Sequence, residues 1–394
     1  MIPFLRGPTS WVFLVLGLAF YIYRRRRNVN KVKAPSSYST PPTPTKDATY
    51  SEESYHQIEP LTDFNLAATE PIKIRPFKPK YHLTMALENT TMSDLVAMDN
   101  TYIERIKLRK DLIENQPQDV LAVNPKAVDA ILEFYTWSVH VYLPRRFPTI
   151  FTLSPTTSTL YNTITHQSLP LHLTSAVHAL SLIGQTIDDD FLLLLPSSNP
   201  QDDGKYRLEA FITCFPSGFN TPKKLNLLLS EIHGPVPGYS EKLEKSMDRF
   251  FATLPVGKMV KRHNWSVTTH RRLFTFDGNH LTDEELAAQK HKENENENEN
   301  EGAGVEDDGV DIEQTVLRCE RQTLHRLPKT KALVFAFKTY QYGMRELRNE
   351  GGVEDFCAAI DGLGLGNVPG MTVYKRQVVW GEKVKAFLRG EIDE

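Results

Sequence analysis

The chain has 394 residues, 40% hydrophobic and 24% charged, enough to bury a large core in one or two domains and too apolar to be wholly disordered. Lys plus Arg number 46 against 49 Asp plus Glu, a net charge of -3, so no global positive field recommends nucleic acid as a partner. Cys214, Cys319 and Cys357 are odd in number and lack Cys-x-x-Cys spacing, which suits a reducing compartment.

Residues 11–23 form an apolar run closed by Arg24, Arg25, Arg26 and Arg27. Extended back to Gly7, the run nears the lower limit of about 17 residues for crossing a bilayer, and Trp11, Tyr21 and Tyr23 sit where interfacial aromatics are usual. The charge follows the apolar run instead of preceding it, which argues against a cleaved signal peptide. The expectation is a single N-terminal transmembrane helix within 1–27. It would make a single-pass protein of the endoplasmic reticulum or another endomembrane, with its soluble domain in the cytosol by the positive-inside bias. The sequons at Asn89 and Asn264 would then stay unglycosylated. Residues 28–70, rich in Ser, Thr and Pro, read as a disordered stalk. A folded domain over 71–394 follows, interrupted at 282–311 by a polar insert of Glu-Asn repeats and acids that cannot bury apolar surface.

Within the folded part, Ser93 is placed to cap a helix towards Asn115, with Leu95, Met98, Tyr102, Ile106 and Ile113 near helical spacing. Pro125 opens a second helix carrying Val128, Ile131, Leu132, Tyr135 and Val139. Short β-like runs come next at 150–153, 191–195, 208–215, 260–267, 316–327 and 332–339, with helices at 221–230 and 240–253 between them. The insert separates two of the best strands, which remain free to pair as neighbours. Helices return at 353–363 and 381–388. Strands clustered without βαβ alternation favour an α+β fold with a mostly antiparallel sheet.

On a strand over 316–327, Arg318, Glu320 and Gln322 share one face and Cys319, Arg321 and Thr323 the other. With neither face apolar, the strand is an exposed edge, lines a polar pocket, or carries internal ion pairs. Arg262 and Asn264 likewise share a face opposite His263 and Trp265. In Ile232-His233-Gly234-Pro235-Val236-Pro237-Gly238-Tyr239, prolines and glycines hold His233 on a rigid turn, suited to ligating a metal or haem iron or simply an ordinary turn histidine. Asp188 and Asp190 offer a short Asp-x-Asp motif, the basis of an alternative as a membrane-bound glycosyltransferase. Cys319 offers a thiolate as a further alternative iron ligand. A Gly-rich phosphate loop, a His-Glu-x-x-His motif and a Gly-x-Ser-x-Gly elbow are all missing from the sequence.

The blocks at 75–85 (Arg75-Pro76-Phe77 through Tyr81 to Met85), 98–102, 232–239, 262–267 and 318–328, in this order and spacing, resemble the family of haem-dependent oxidative N-demethylases, over about 72–363. The resemblance implies a PAS-like α+β domain, a mostly antiparallel sheet with flanking helices, that binds haem b. It implies a monooxygenase that uses dioxygen, and electrons from NAD(P)H delivered by a separate flavin or iron–sulfur reductase, to oxidise the carbon beside the nitrogen of a small amine-type substrate. The carbinolamine then collapses to amine and aldehyde. By this resemblance His233 is the axial iron ligand, Arg262 and Arg318 lie at the cofactor, and Glu320, Arg321 and Asn264 form the catalytic set. The anchor would hold the domain on the membrane that bears its reductase. The sequence departs from the pattern in the anchor, the stalk, the insert and Gly218-Phe219, where a bulkier aromatic is expected. A non-catalytic haem- or ligand-binding protein on the same fold is the nearest alternative.

Overall fold

The computed structural model describes residues 49–281 and 309–393, together with 36–37, 41, 43 and 44. Seven strands form one sheet: β1 (Glu88–Thr90), β2 (Leu121–Val123), β3 (Asp190–Pro196), β4 (Tyr206–Ile212), β5 (Met259–Thr268), β6 (Val316–Arg326) and β7 (Leu333–Gly343). Their order across the sheet is β1-β5-β6-β7-β3-β4-β2, and every neighbouring pair is antiparallel. The α+β reading with a mostly antiparallel sheet therefore holds. β5 and β6 pair over their full lengths, Met259 opposite His325 through Thr268 opposite Val316, although the insert separates them in sequence.

One face of the sheet carries Met259, Val334, Leu193 and Ala210 into a core shared with helices α1 (Tyr102–Asn115), α2 (Val128–Trp137) and α3 (Ala176–Gly184). Ile106, Ile131, Phe134, Leu180 and Ile183 supply the helical side of it. Each such side chain contributes roughly 1.5–3 kcal/mol on burial. The α2 pattern begins with Pro125 in a short 3-10 turn, as expected, and then runs on into a π-helical segment, Ser138–Tyr142. Towards the other end of the sheet, Trp265, Val267, Leu317 and Tyr340 pack against Phe356, Ile360, Val384 and Phe387, from α5 (Val353–Leu365) and α6 (Gln377–Arg389).

Several expectations are corrected. Ser93 is not a helix cap: its hydroxyl accepts from Glu59 N at 2.8 Å, and the helix starts only at Tyr102. The 221–230 region is not one helix but a 3-10 turn, Pro222–Lys224, followed by the short α4 (Leu229–His233). The folded body begins well before Pro71, since Tyr55 and Leu66 are both buried in the core. The sheet is not preceded by a transmembrane helix in the described structure. None of the described helices is long and apolar enough to cross a membrane; α1, at 14 residues, carries charges along its length, against about 20 apolar residues for a span. Residues 11–23 lie outside the described residues, as do 28–35, 38–40, 42 and 45–48 of the stalk and 282–308 of the insert. The membrane helix and the single-pass localisation built on it are thus unsupported.

Candidate functional site

The strand pairing carries one row of side chains across the second face of the sheet. Arg262 lies opposite Gln322 and Asn264 opposite Glu320; Gln322 lies opposite Phe337, and Leu324 opposite Phe335. Phe335 in turn faces Leu192, and Leu192 faces Phe211. The row is polar on β5 and β6 and apolar on β7, β3 and β4. Arg262, Asn264, Glu320, Gln322, Phe335 and Phe337 are all half-buried, and the partly open face they share is the candidate cleft, whereas Cys319, Arg321, Thr323, Val334 and Ala336 on the opposite face are buried. Phe335 and Phe337 pack with Ile232, Phe219, Leu225 and Leu227 into a small apolar cluster, which brings α4 and the 215–228 loop over the apolar half.

His233 ends α4. Its Nδ1 lies 2.8 Å from Leu229 O, a contact that makes Nδ1 the protonated nitrogen and Nε2 the one with a lone pair. The ring stacks on Tyr239, centroids 4.9 Å apart at 15°. Burial lowers the pKa of His233; the Leu229 contact opposes this, and Arg262 and Lys224 add to it. The imidazole is therefore neutral, as a metal ligand must be. Arg262 forms no ion pair among the described residues, and its buried Nε has no hydrogen-bond partner. Burial lowers its pKa too, against the pull of Tyr81 and Glu320. A half-buried guanidinium with no carboxylate in contact is free to take an anion. Glu320 accepts from Gln322 Nε2 at 2.8 Å through one oxygen.

The site residues expected from the sequence thus divide. His233, Arg262, Asn264 and Glu320 gather on one side of the sheet. Arg321 does not join them. Alternation turns it to the opposite face, where Nη2 pairs with Asp94 Oδ1 at 2.8 Å and Nη1 donates to Leu95 O. Arg318 shares the parity of Glu320 but is spent on backbone: it donates to Phe215 O at 2.8 Å, Pro216 O at 3.2 Å, Arg272 O at 3.1 Å and Leu273 O at 3.1 Å. It ties two loops to β6 with a fully buried side chain. β6 is central in the sheet, so the edge-strand reading fails, and the two remaining readings each describe one face.

The Asp-x-Asp alternative is also corrected. Asp190 pairs with Arg109 and accepts from Cys214 N and Phe215 N, both at 2.8 Å. Asp188 pairs with Lys338 at 2.7 Å. Both carboxylates are already neutralised in the interior, and among the described residues no cluster of His, Cys, Asp and Glu suits a metal ion. Cys319 is excluded as a thiolate: burial pushes its thiol up to about 12, and Sγ lies 3.6 Å from Ile74 O. Gly218 cannot be a bulky residue, because its φ is +67° and a Cβ there would meet Asn279 Cβ at 2.8 Å; Phe219 supplies the aromatic instead.

Sequence reasoning missed Lys375. It is buried beside β5, donates to Trp265 O, and lies 3.3 Å from Asn264 Oδ1. No periodicity marks a lone lysine after the short helix Met371–Tyr374. Tyr81 joins it, with the Lys375 ammonium 5.4 Å from its ring, and did fall within one of the blocks singled out from the sequence.

The geometry fits a haem: a neutral histidine with one nitrogen already anchored, an unpaired guanidinium for a propionate, and an apolar wall for a flat macrocycle. No curated protein matches the chain. Residues 86–385, well over half of it, match the family described as haem-dependent oxidative N-demethylase, alpha subunit-like. By that match, which takes in every residue of the gathered set, the chain belongs to the haem-dependent oxidative N-demethylase, alpha subunit-like family.

Proposed function

We propose that this protein is a haem-dependent monooxygenase that oxidises the carbon beside the nitrogen of a small amine-type substrate. The observation that carries the reading is His233, neutral and held through Nδ1, next to the unpaired Arg262 on the half-buried side of the sheet. Haem b bound there supplies dioxygen chemistry, with electrons from NAD(P)H passed on by a separate flavin or iron–sulfur partner protein.

The chain's own residues do the rest. His233 offers Nε2 to the iron, and its contact with Leu229 fixes the ring orientation. Arg262 would hold a propionate, the anion that its unpartnered guanidinium lacks. Phe335, Phe337, Phe219, Leu225 and Leu227 keep water from the macrocycle and strengthen every charge interaction nearby. Gln322 holds one Glu320 oxygen, which leaves the other to accept from a substrate ammonium and orient its N-methyl carbon.

Haem titration of the purified protein tests the reading. A Soret band is expected, shifted or lost in His233→Ala, with weaker uptake in Arg262→Met. Failure of the wild-type protein to take up haem, or a spectrum unchanged in His233→Ala, refutes it. Amine-dependent consumption of NAD(P)H in the presence of a reductase separates an enzyme from a non-catalytic haem protein.

A further inference from the structure

Strand β1 covers β5 only over its first residues, Met259 to Lys261. Further along, the outer edge of β5 needs other partners for its backbone groups. Lys375 is one of them. Its Nζ donates to Trp265 O, lies 3.3 Å from Asn264 Oδ1, and sits 5.1 Å from the Trp265 ring centroid. An ammonium has donors and no acceptor. The end of the Asn264 amide that meets Lys375 is therefore its oxygen, and the NH2 group is left over. Among the described residues that NH2 donates to no protein acceptor, although Asn264 stands on the cleft face directly opposite Glu320.

We propose that Lys375 is a positioning residue that locks the Asn264 amide so that its NH2 group donates a hydrogen bond to an acceptor atom of the molecule in the cleft. The proposal rests on the cleft being the ligand site, as argued above, but half of its test does not depend on haem. The charged and titratable groups facing Lys375 are Arg262 on β5, Glu320 and Cys319 on β6, His280 on the loop after β5, and Tyr81. Burial and then Arg262 bring the Lys375 pKa down to about 8, with Glu320 and Cys319 opposing. Below that pH the lock is complete. Above it a neutral amine both donates and accepts, and the amide is free to turn.

Asparagine-selective nitrogen-15 labelling, with Asn264→Asp to assign the signal, follows the Asn264 side-chain NH2 by NMR. A transition with a midpoint near pH 8 is expected in the wild-type protein. Lys375→Arg removes the transition and keeps the low-pH position, whereas Lys375→Met moves the signal at every pH. A signal that ignores both substitutions overturns the lock, whether or not haem binds. Calorimetry at pH 7 with trimethylamine N-oxide, net neutral with an acceptor oxygen, and trimethylamine, an ammonium without one, tests the donor through the effect of each Lys375 variant on each probe. Lys375→Met should weaken the N-oxide about tenfold, the worth of one hydrogen bond, leave trimethylamine within about twofold, and Lys375→Arg should restore the difference. Equal losses for both probes overturn the proposal; a loss confined to haem uptake overturns only the functional reading.

Discussion

Replacing Arg321 with methionine removes a guanidinium that sits 2.8 Å from Asp94, with side-chain exposures of 2% and 0%. Deleting one partner of a buried ion pair costs about 3–5 kcal/mol, because the other charge is stranded. Asp94 keeps Lys261 at 3.1 Å and the Thr90 hydroxyl at 2.9 Å, which points to the lower end, about 3 kcal/mol. With a urea slope of about 3 kcal/mol per molar, the midpoint drops by about 1 M. Fluorescence and circular dichroism followed together at pH 7 give the loss and show whether the transition is two-state. Burial alone would raise the Asp94 pKa, but Arg321 and then Lys261 outweigh it and hold the carboxylate below its usual range. A carboxylate depressed in the folded state lends stability that is complete above its unfolded pKa of about 3.9 and fades as pH falls through the folded value. The gap between wild type and Arg321→Met therefore narrows below about pH 4. A variant within about 0.5 kcal/mol of wild type at pH 7, as is usual for surface substitutions, would return Arg321 to the list of site residues. So would a gap that stays constant down to pH 3.

Asp189 behaves in the opposite sense: burial and the neighbouring Asp188 raise its pKa to about 7, and neither oxygen has a hydrogen-bond partner. Wild-type stability should fall as pH climbs from about 4, where the unfolded chain ionises, towards the raised folded value, and Asp189→Asn should lose that slope, read as urea midpoints at pH 5 and pH 8. Glu320→Gln, at a half-buried site with one hydrogen bond, should change stability by under about 1 kcal/mol. It should weaken dimethylamine binding by about tenfold in calorimetry, since a charged acceptor is replaced by a neutral one. Gly366→Ala should destabilise by about 3 kcal/mol or more in the same urea assay, because its Cβ would lie 1.4 Å from Tyr81 O and the backbone beside the cleft must move.

Much of the fold was readable because alternation is a local property. Arg262 and Asn264 share a face, and so do Arg318, Glu320 and Gln322, as a strand period of two requires. The pairing of β5 with β6 across the insert was foreseeable, since both were strong strands that lost little by a long loop between them. The 221–230 helix failed because Pro222 and Lys224 sit in a 3-10 turn that stops before Leu229. Tyr55 was missed because a single aromatic in a polar stretch carries no periodicity, and only the core it enters reveals its role.

For the site, the sequence alone determined which residues point the same way, and the ordered blocks carried the family. It could not determine which faces are sealed or where each charge finds its counter-charge, because partners such as Arg321 with Asp94 or Lys338 with Asp188 lie far apart in the chain. Tertiary structure took Arg321 and Arg318 out of the chemistry by satisfying them with an aspartate and with loop carbonyls. It left Arg262 without a partner and brought Lys375 to Asn264. The physical reason is that a side chain's direction is set by its own backbone, while its burial and its partners are set by every other segment that packs against it.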